Sequence, residues 1–385
     1  MLHKALYGLK QSGHEWYKLL SEILDKVGHH QSVGDEGCFV NDLRTDSRRD
    51  YKTIIGTHVD DMLVIGPSDL LDSTELGIEG FVELDKRGRP EKMLGMELMW
   101  RIDEVTLTQR GLIESMTKTH LEPRTYEQSK KLGKGSSLPL DPKSFQPEDE
   151  LADPKTCQAI VGGLLFITRM TRPEIAIQVN LLGRRAAKPG MQNLQAARQV
   201  LEYLYSTRYD GITLKRPITL DLKIHADAKY GGEKARSQTG VLVTLGNQPV
   251  GWYSRRQDIV SLSVTEAEYI AACEGAKDAA WGRQFLSELQ IVTTPVLTTD
   301  SEGAFNLSKT NGYMRRTRHI DHRYHYIRQE IKKGHLDLQT IPGKENPADI
   351  FTKILPMSAV REWKKRWLGN SNPEGVKSSP DGTKD

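Results

Sequence analysis

The chain has 385 residues, 37% hydrophobic and 27% charged, and its 54 basic and 51 acidic residues leave a net charge of +3. No run approaches the roughly 20 apolar residues a membrane span needs, and the N-terminal MLHKALYGLK lacks the apolar core of a signal peptide; an intracellular protein with no membrane partner is expected. The isolated Cys38, Cys157 and Cys273 exclude a disulfide framework and a zinc knuckle, and the length predicts two or three domains.

Residues 1 to about 120 alternate helical and strand patterns. Trp16, Leu19, Leu20 and Ile23 recur at mostly helical spacing after a turn at Gly8, and TIIGTHVDDMLVIG reads as a β-hairpin with Asp60 and Asp61 at its tip. Such a double acid suits two-metal nucleotidyl transfer; a merely charged turn is the alternative. Residues 121–156 are rich in Pro, Ser, Gly, Lys and Asp and read as a linker. Three helical patterns fill 157–210, with Pro173 in the first turn of the second, and they suggest no chemistry of their own. Residues 219–355 then give a strand ending in HADA, a hairpin, a helix of about 25 residues from Val264, the strand VLTTD, two helices, the strand LDLQTI and a last helix starting at Asn346 and Pro347. Three antiparallel strands followed by βα units predict a mixed sheet covered by helices.

Four acids in this region fit a metal centre: Asp227, Glu266, Asp300 and Asp349. Mg²⁺ prefers carboxylate and water oxygen, so a two-ion site needs acids converging from separate elements. Structural explanations stand beside three of them. Glu266 completes a capping box begun by Ser263, Asp300 sits where a strand gives way to a helix, and Asp349 favours a helix dipole. Glu268, two residues after Glu266, is turned about 200° from it on a helix, so the two cannot share a site. The three histidines His319, His322 and His325 drift around their helix rather than converge, which argues against metal binding. The surrounding segment, with Arg315, Arg316, Arg318, Arg323 and Arg328 interleaved with tyrosines, is the candidate phosphate-binding face; a solvated helix surface is the alternative.

The strings HADA, VGWYSRRQ, TEAEYIA, TDSEGAFNLSK, RTRHIDHRYHYIRQEI and NPADIFTK, in this order, resemble the ribonuclease H domain of copia-type LTR retrotransposon Pol polyproteins. KALYGLKQSGHEWY and HVDDMLVIG resemble the last blocks of that family's reverse transcriptase, and VGGLLFITRMTRPEIAIQVNLLGR the segment between. The resemblance implies an α/β (α+β) fold: a ribonuclease H-like mixed sheet with flanking helices, preceded by a truncated reverse-transcriptase palm and a helical connection. It implies a palm remnant over 1–120, a linker over 121–156, a helical connection over 157–210, the ribonuclease H-like domain over 219–355, and a C-terminal helix and disordered tail over 356–385. By the same resemblance Asp227, Glu266, Asp300 and Asp349 hold two Mg²⁺ (or Mn²⁺) ions and hydrolyse the RNA strand of RNA:DNA hybrids, with Glu268 a bystander. His58 stands where the family usually has Tyr, and the palm block carrying a further metal-binding Asp belongs before Met1. Primer extension is therefore expected to need the missing N-terminal part of Pol as a partner. The implied location is cytoplasmic, in a virus-like particle, or nuclear. A degenerate or host-retained relic that binds nucleic acid without catalysis is the alternative.

Overall fold

Helix α1 (Ser12–Lys26) follows the Gly8 turn and buries Leu20, Ile23 and Leu24, a spacing that brings all three onto one face. The computed structural model describes residues 8–41, 53–121, 150–231, 236–309 and 321–370. It divides into two compact units, Met1–Pro90 with Ala280–Thr293, and Glu91–Ala279 with Thr294–Asp385.

In the first unit, β1 (His29–Gln31), β2 (Cys38–Asn41), β3 (Ile54–His58) and β4 (Asp61–Ile65) form an antiparallel sheet in that order. Helix α2 (Ser68–Glu79) follows Pro67, whose extended backbone starts it. Leu20, Ile23, Leu24, Phe39, Ile55 and Ile78 make the core. Truncating one of these, as in Leu24→Ala, is expected to cost about 2–5 kcal/mol. The predicted hairpin is present. His58 pairs with Asp61, and the turn puts Val59 at φ 55°, an uncommon conformation for a β-branched residue.

The second unit holds two sheets. Strands β5 (Lys92–Met93), β6 (Met96–Trp100), β7 (Glu104–Thr108), β8 (Asp210–Lys215) and β14 (Leu368–Asn370) form an antiparallel sheet in the order β14–β8–β7–β6–β5. Residues 92–108, which sequence alone assigns to the first domain, thus join through β7 a strand a hundred residues later, with Leu107 opposite Ile212. Four helices pack on one another: α3 (Arg110–His120), α4 (Pro154–Met170), α5 (Ala176–Gly183) and α6 (Met191–Ser206). Asp153 caps α4 by accepting from the Thr156 amide at 2.9 Å. Between α4 and α5 lies a fully buried Arg172–Glu174 pair at 2.6 Å, in which Arg172 also donates to Thr207 and Glu174 Oε1 accepts from the Tyr203 hydroxyl. Removing one partner of such a pair typically costs about 3–5 kcal/mol.

The second sheet has the order β11–β10–β9–β12–β13, from β9 (Leu222–Lys229), β10 (Gln238–Leu245), β11 (Gln248–Arg256), β12 (Val296–Thr299) and β13 (Asp337–Thr340). The pairs β9/β10 and β10/β11 are antiparallel, while β9/β12 and β12/β13 are parallel. This is the mixed sheet the sequence predicts, three antiparallel strands extended by two parallel ones. Helices α7 (Val264–Glu288), α8 (Glu302–Lys309), α9 (Asp321–Lys332) and α10 (Met357–Trp367) complete the second half of the chain. The helix expected to start at Asn346 and Pro347 is not an α-helix, whereas a helix does fall within 356–385. Pro347–Phe351 form a 3-10 turn capped by Asn346, and α10 starts only after Pro356. Central β9 has strands on both sides and buries six of its eight residues, all but a half-buried Lys223 and an exposed Lys229, so an acid on it faces little water.

Candidate active site

Asp227 sits near the carboxyl end of β9 and is 1% exposed. Asp300 directly follows the parallel neighbour β12, and Glu268 lies in the second turn of α7. Ligand oxygens of Asp227, Glu268 and Asp300 all fall within 4.8 Å of one another; among the described residues no other group of three potential ligands does so. Glu268 Oε2 accepts from the Ala228 amide at 3.1 Å, which ties α7 to β9 one residue past Asp227.

Expectation and structure differ over α7. Glu266, the sequence choice for the metal ligand, instead accepts from the Leu262 amide at 2.7 Å, while its own amide donates to Ser263 Oγ at 3.1 Å. That is a capping-box-like arrangement, with Ser263 capping the Glu266 amide and Glu266 reaching back to the amide just before Ser263. Glu268, expected to be a bystander, joins the acids. The deciding contact lies further along the helix. Gly275 packs so closely on the sheet that an added Cβ would stand 3.0 Å from both Ile224 on β9 and Leu297 on β12. Glu268 is seven residues before Gly275, two turns back on the same stripe. Sequence periodicity could not choose the face, because every residue from Glu266 to Cys273 is buried. The spacing of Glu268 to Gly275 and Ala279 was the available signal.

Asp349, on the 3-10 turn, is linked to this centre through a lysine. Lys353 Nζ lies 2.6 Å from Asp349 Oδ1 and 3.6 Å from Asp227 Oδ2. The Thr352 hydroxyl donates to Asp227 Oδ2. Asn346 fixes the turn beside β9, its Nδ2 donating to the Ala226 carbonyl at 3.0 Å and its Oδ1 accepting from the Ala348 amide at 3.1 Å. Sequence reasoning passed over Thr352 and Lys353; both lie in the NPADIFTK string.

Two observations fit a divalent cation. Asp227 Oδ1 and Asp300 Oδ1 are buried and have no hydrogen-bond partner, and all three acids offer hard oxygen. The electrostatics agree. Burial pushes Asp227 up to about 6, opposed by Lys353 and Thr352. Burial, then the Asp227 and Asp300 charges, pushes Glu268 up to about 9. Burial would lower Lys353, but Asp227 and Asp349 hold it above the ordinary lysine range. A cavity of like charges is relieved by a cation or by a proton.

Asp60 and Asp61 are both exposed at their hairpin tip. Among the described residues no third acid joins them at ligand spacing. Arg315, Arg316, Arg318 and His319 lie outside the described residues, as do the side chains of His322, Arg323 and His325. Arg328 is half-buried, and its Nε donates to the Leu307 carbonyl at 2.9 Å, which anchors α9 to α8. The tail from 371 onward and 122–149 of the expected linker also lie outside the described residues.

Comparison with known proteins adds the family. A reverse transcriptase (RNA-dependent DNA polymerase) family matches residues 1–124. The chain is 32% identical over 371 residues to the retrovirus-related Pol polyprotein from transposon TNT 1-94 of Nicotiana tabacum, covering 92% of this chain and 27% of that protein. The corresponding polyprotein from transposon RE1 of Arabidopsis thaliana is also 32% identical, and the chain spans 24% of its length. A putative transposon Ty5-1 protein of Saccharomyces cerevisiae is 30% identical over 278 residues, 71% of this chain and 87% of that one. Among solved structures, the N-terminal RNase H domain of a Mycobacterium tuberculosis protein, fused to maltose-binding protein, aligns with a TM-score of 0.26 and 16% identity, over 38% of this chain and 98% of its own. On the sequence relationships, the chain belongs to the Pol family of copia-type retrotransposons, a family of nucleic-acid-processing enzymes.

Proposed function

We propose that this protein hydrolyses the RNA strand of RNA:DNA hybrids with divalent metal ions, Mg²⁺ or Mn²⁺. The observation that carries the reading is the convergence of Asp227, Glu268 and Asp300 from three elements to within 4.8 Å. These three would hold one ion, and Asp227 with Asp349 would contribute to a second. Bound there, the ions would supply Lewis acidity for an attacking water and a leaving 3′ oxygen. The chain's own residues prepare the site. Thr352 orients Asp227 through Oδ2, which leaves the buried Oδ1 without a hydrogen-bond partner and available to a cation. The Ala228 amide orients Glu268, and Lys353 offsets the charge on Asp227 and Asp349. With its pKa near 9, Glu268 holds a proton at neutral pH, which it would release when a cation is taken up.

Recognition of the 2′-hydroxyl would restrict cutting to the RNA strand, and the basic segment from Arg315 to Arg328 would add contacts to the backbone. Asp60 and Asp61 are exposed, and among the described residues no third acid joins them at ligand spacing, so primer extension would require a further carboxylate. An intracellular site of action, in a cytoplasmic particle or the nucleus, accompanies this reading; among the described residues no helix is long and apolar enough to cross a membrane.

The test is cleavage of a labelled RNA:DNA hybrid by the purified chain, with and without Mg²⁺. Metal-dependent cutting of the RNA strand, lost in Asp227→Asn and Glu268→Gln, is the expected result. A chain that binds hybrid without cutting it in either metal would replace the enzyme reading by that of a nucleic-acid-binding relic.

A further inference from the structure

Three strands contribute one row across the sheet. Asp227 on β9 stands opposite Gly240 on β10, which stands opposite Ser254 on β11. The 3-10 turn Pro347–Phe351 lies over the middle of that row. A Cβ on Gly240 would come within 2.7 Å of Phe351 Cβ, 2.8 Å of Thr352 Cγ2 and 2.9 Å of the Ala348 carbonyl, so glycine is what admits the turn. Each end of the row then grips it. On one side the Thr352 hydroxyl donates to Asp227; on the other the Ser254 hydroxyl donates to the Phe351 carbonyl.

The Ser254 grip is in turn set by helix α5, in the segment where sequence suggested no chemistry. Asn180 Nδ2 donates to the Ser254 carbonyl at 3.0 Å. Its Oδ1 accepts from Arg184 at 2.8 Å and from Gln238 Nε2 at 3.3 Å, and the same Gln238 nitrogen reaches Ser254 Oγ at 2.7 Å. Gln238 is 5% exposed, and Phe351 is fully buried in the core that α4 to α6 build. A polar chain of this kind, half-buried at Asn180 and Ser254 and buried at Gln238, specifies one geometry more sharply than apolar packing does. This one runs from Asn180 through Ser254 to the backbone two residues beyond Asp349.

We propose that α5 positions the metal-facing turn: Asn180 and Ser254 hold Asp349, Thr352 and Lys353 in register with Asp227, which makes the helical segment upstream of β9 a working part of the nuclease centre. Asn180 and Ser254 are positioning residues, and the proposal rests on the hydrolytic reading above. It differs from a stabilising role in its consequence. Loosening the turn should lower turnover and local order while substrate affinity and the rest of the sheet stay as they are.

The experiment uses the full chain with Asn180→Ala and Ser254→Ala, and Asn180→Asp as the isosteric alternative, which loses the donor to the Ser254 carbonyl. Amide exchange is followed at Thr352 and Lys353, whose N–H groups donate to the Asp349 carbonyl at 3.1 and 3.0 Å, with the β9/β10 amides as reference. Expected are exchange about tenfold faster at Thr352 and Lys353 alone, and kcat for hybrid cleavage lower by about tenfold with KM unchanged, since one hydrogen bond contributes on the order of one such factor. Unchanged exchange at these two amides overturns the proposal, and so does faster exchange with unchanged kcat. A wild-type chain that cuts no hybrid defeats the hydrolytic reading instead; the exchange arm then decides by itself whether α5 orders the turn.

Discussion

The molecule carries two acidic constellations, and they differ in nearly every physical respect. Asp60 and Asp61 are neighbours in sequence, exposed, at the tip of a two-stranded turn. Asp227, Glu268 and Asp300 are separated by up to 73 positions and gathered at one end of a sheet, two of them buried and one half-buried. Water solvates the first pair well, so its charges cost little and attract a cation weakly. The second group is desolvated and self-repelling, which favours a bound cation or a proton. Adjacency in sequence is thus a poor guide to a metal centre; convergence under burial is a better one.

The widest separation between the two constellations should appear in hybrid cleavage. Asp227→Asn and Glu268→Gln are each expected to lower it by about 10²–10⁴-fold with circular dichroism unchanged, whereas Asp60→Asn should leave it within twofold. Equal losses at Asp60 and Asp227 would erase the distinction.

A pH experiment sharpens it from the side of stability. The folded-state pKa of Glu268 is raised to about 9 and that of Asp227 to about 6, both above their unfolded values. Stability from keeping them protonated is complete below the unfolded values and is lost as pH rises through about 6 and then about 9. The metal-free protein should therefore melt lower at pH 9 than at pH 7. Glu268→Gln should flatten that fall, and saturating Mg²⁺ should offset it. A wild type and a Glu268→Gln variant with parallel melting profiles would show that Glu268 is not the group responsible.

Lys353 offers a subtler probe. Its ammonium competes with any ion for Asp227 and Asp349, so Lys353→Met should tighten Mn²⁺ binding by about tenfold in calorimetry, the scale of one such ion pair in a partly buried setting. Weaker Mn²⁺ binding would mean that the lysine supports the site rather than competing for it. The smallest effect is expected at Glu266. Glu266→Gln keeps the capping pattern and should hold cleavage within threefold, while Glu266→Ala should cost about 0.5–2 kcal/mol of stability in urea titration. Loss of cleavage in Glu266→Gln with retention in Glu268→Gln would restore the assignment made from sequence.

What the chain's sequence determined by itself was local or carried by ordered strings. Alternation in LKIHADA marked β9, capping signals marked the start of α7, and the Asp60–Asp61 hairpin followed from two short apolar runs around an acidic turn. The motif order identified the family. Three outcomes belong to tertiary structure. Residues 92–108 joined β8 because strand pairing across a hundred residues leaves no trace in periodicity. Glu268 rather than Glu266 joins the acids because α7 is buried all round from Glu266 to Cys273, and only its close approach to the sheet at Gly275 chose the face. Thr352, Lys353 and the Asn180–Ser254 link became visible only when the 3-10 turn was seen lying across Gly240. Local propensity depends on neighbours within a few positions, whereas a site of this kind depends on which surfaces meet, and burial and packing decide that over the whole domain.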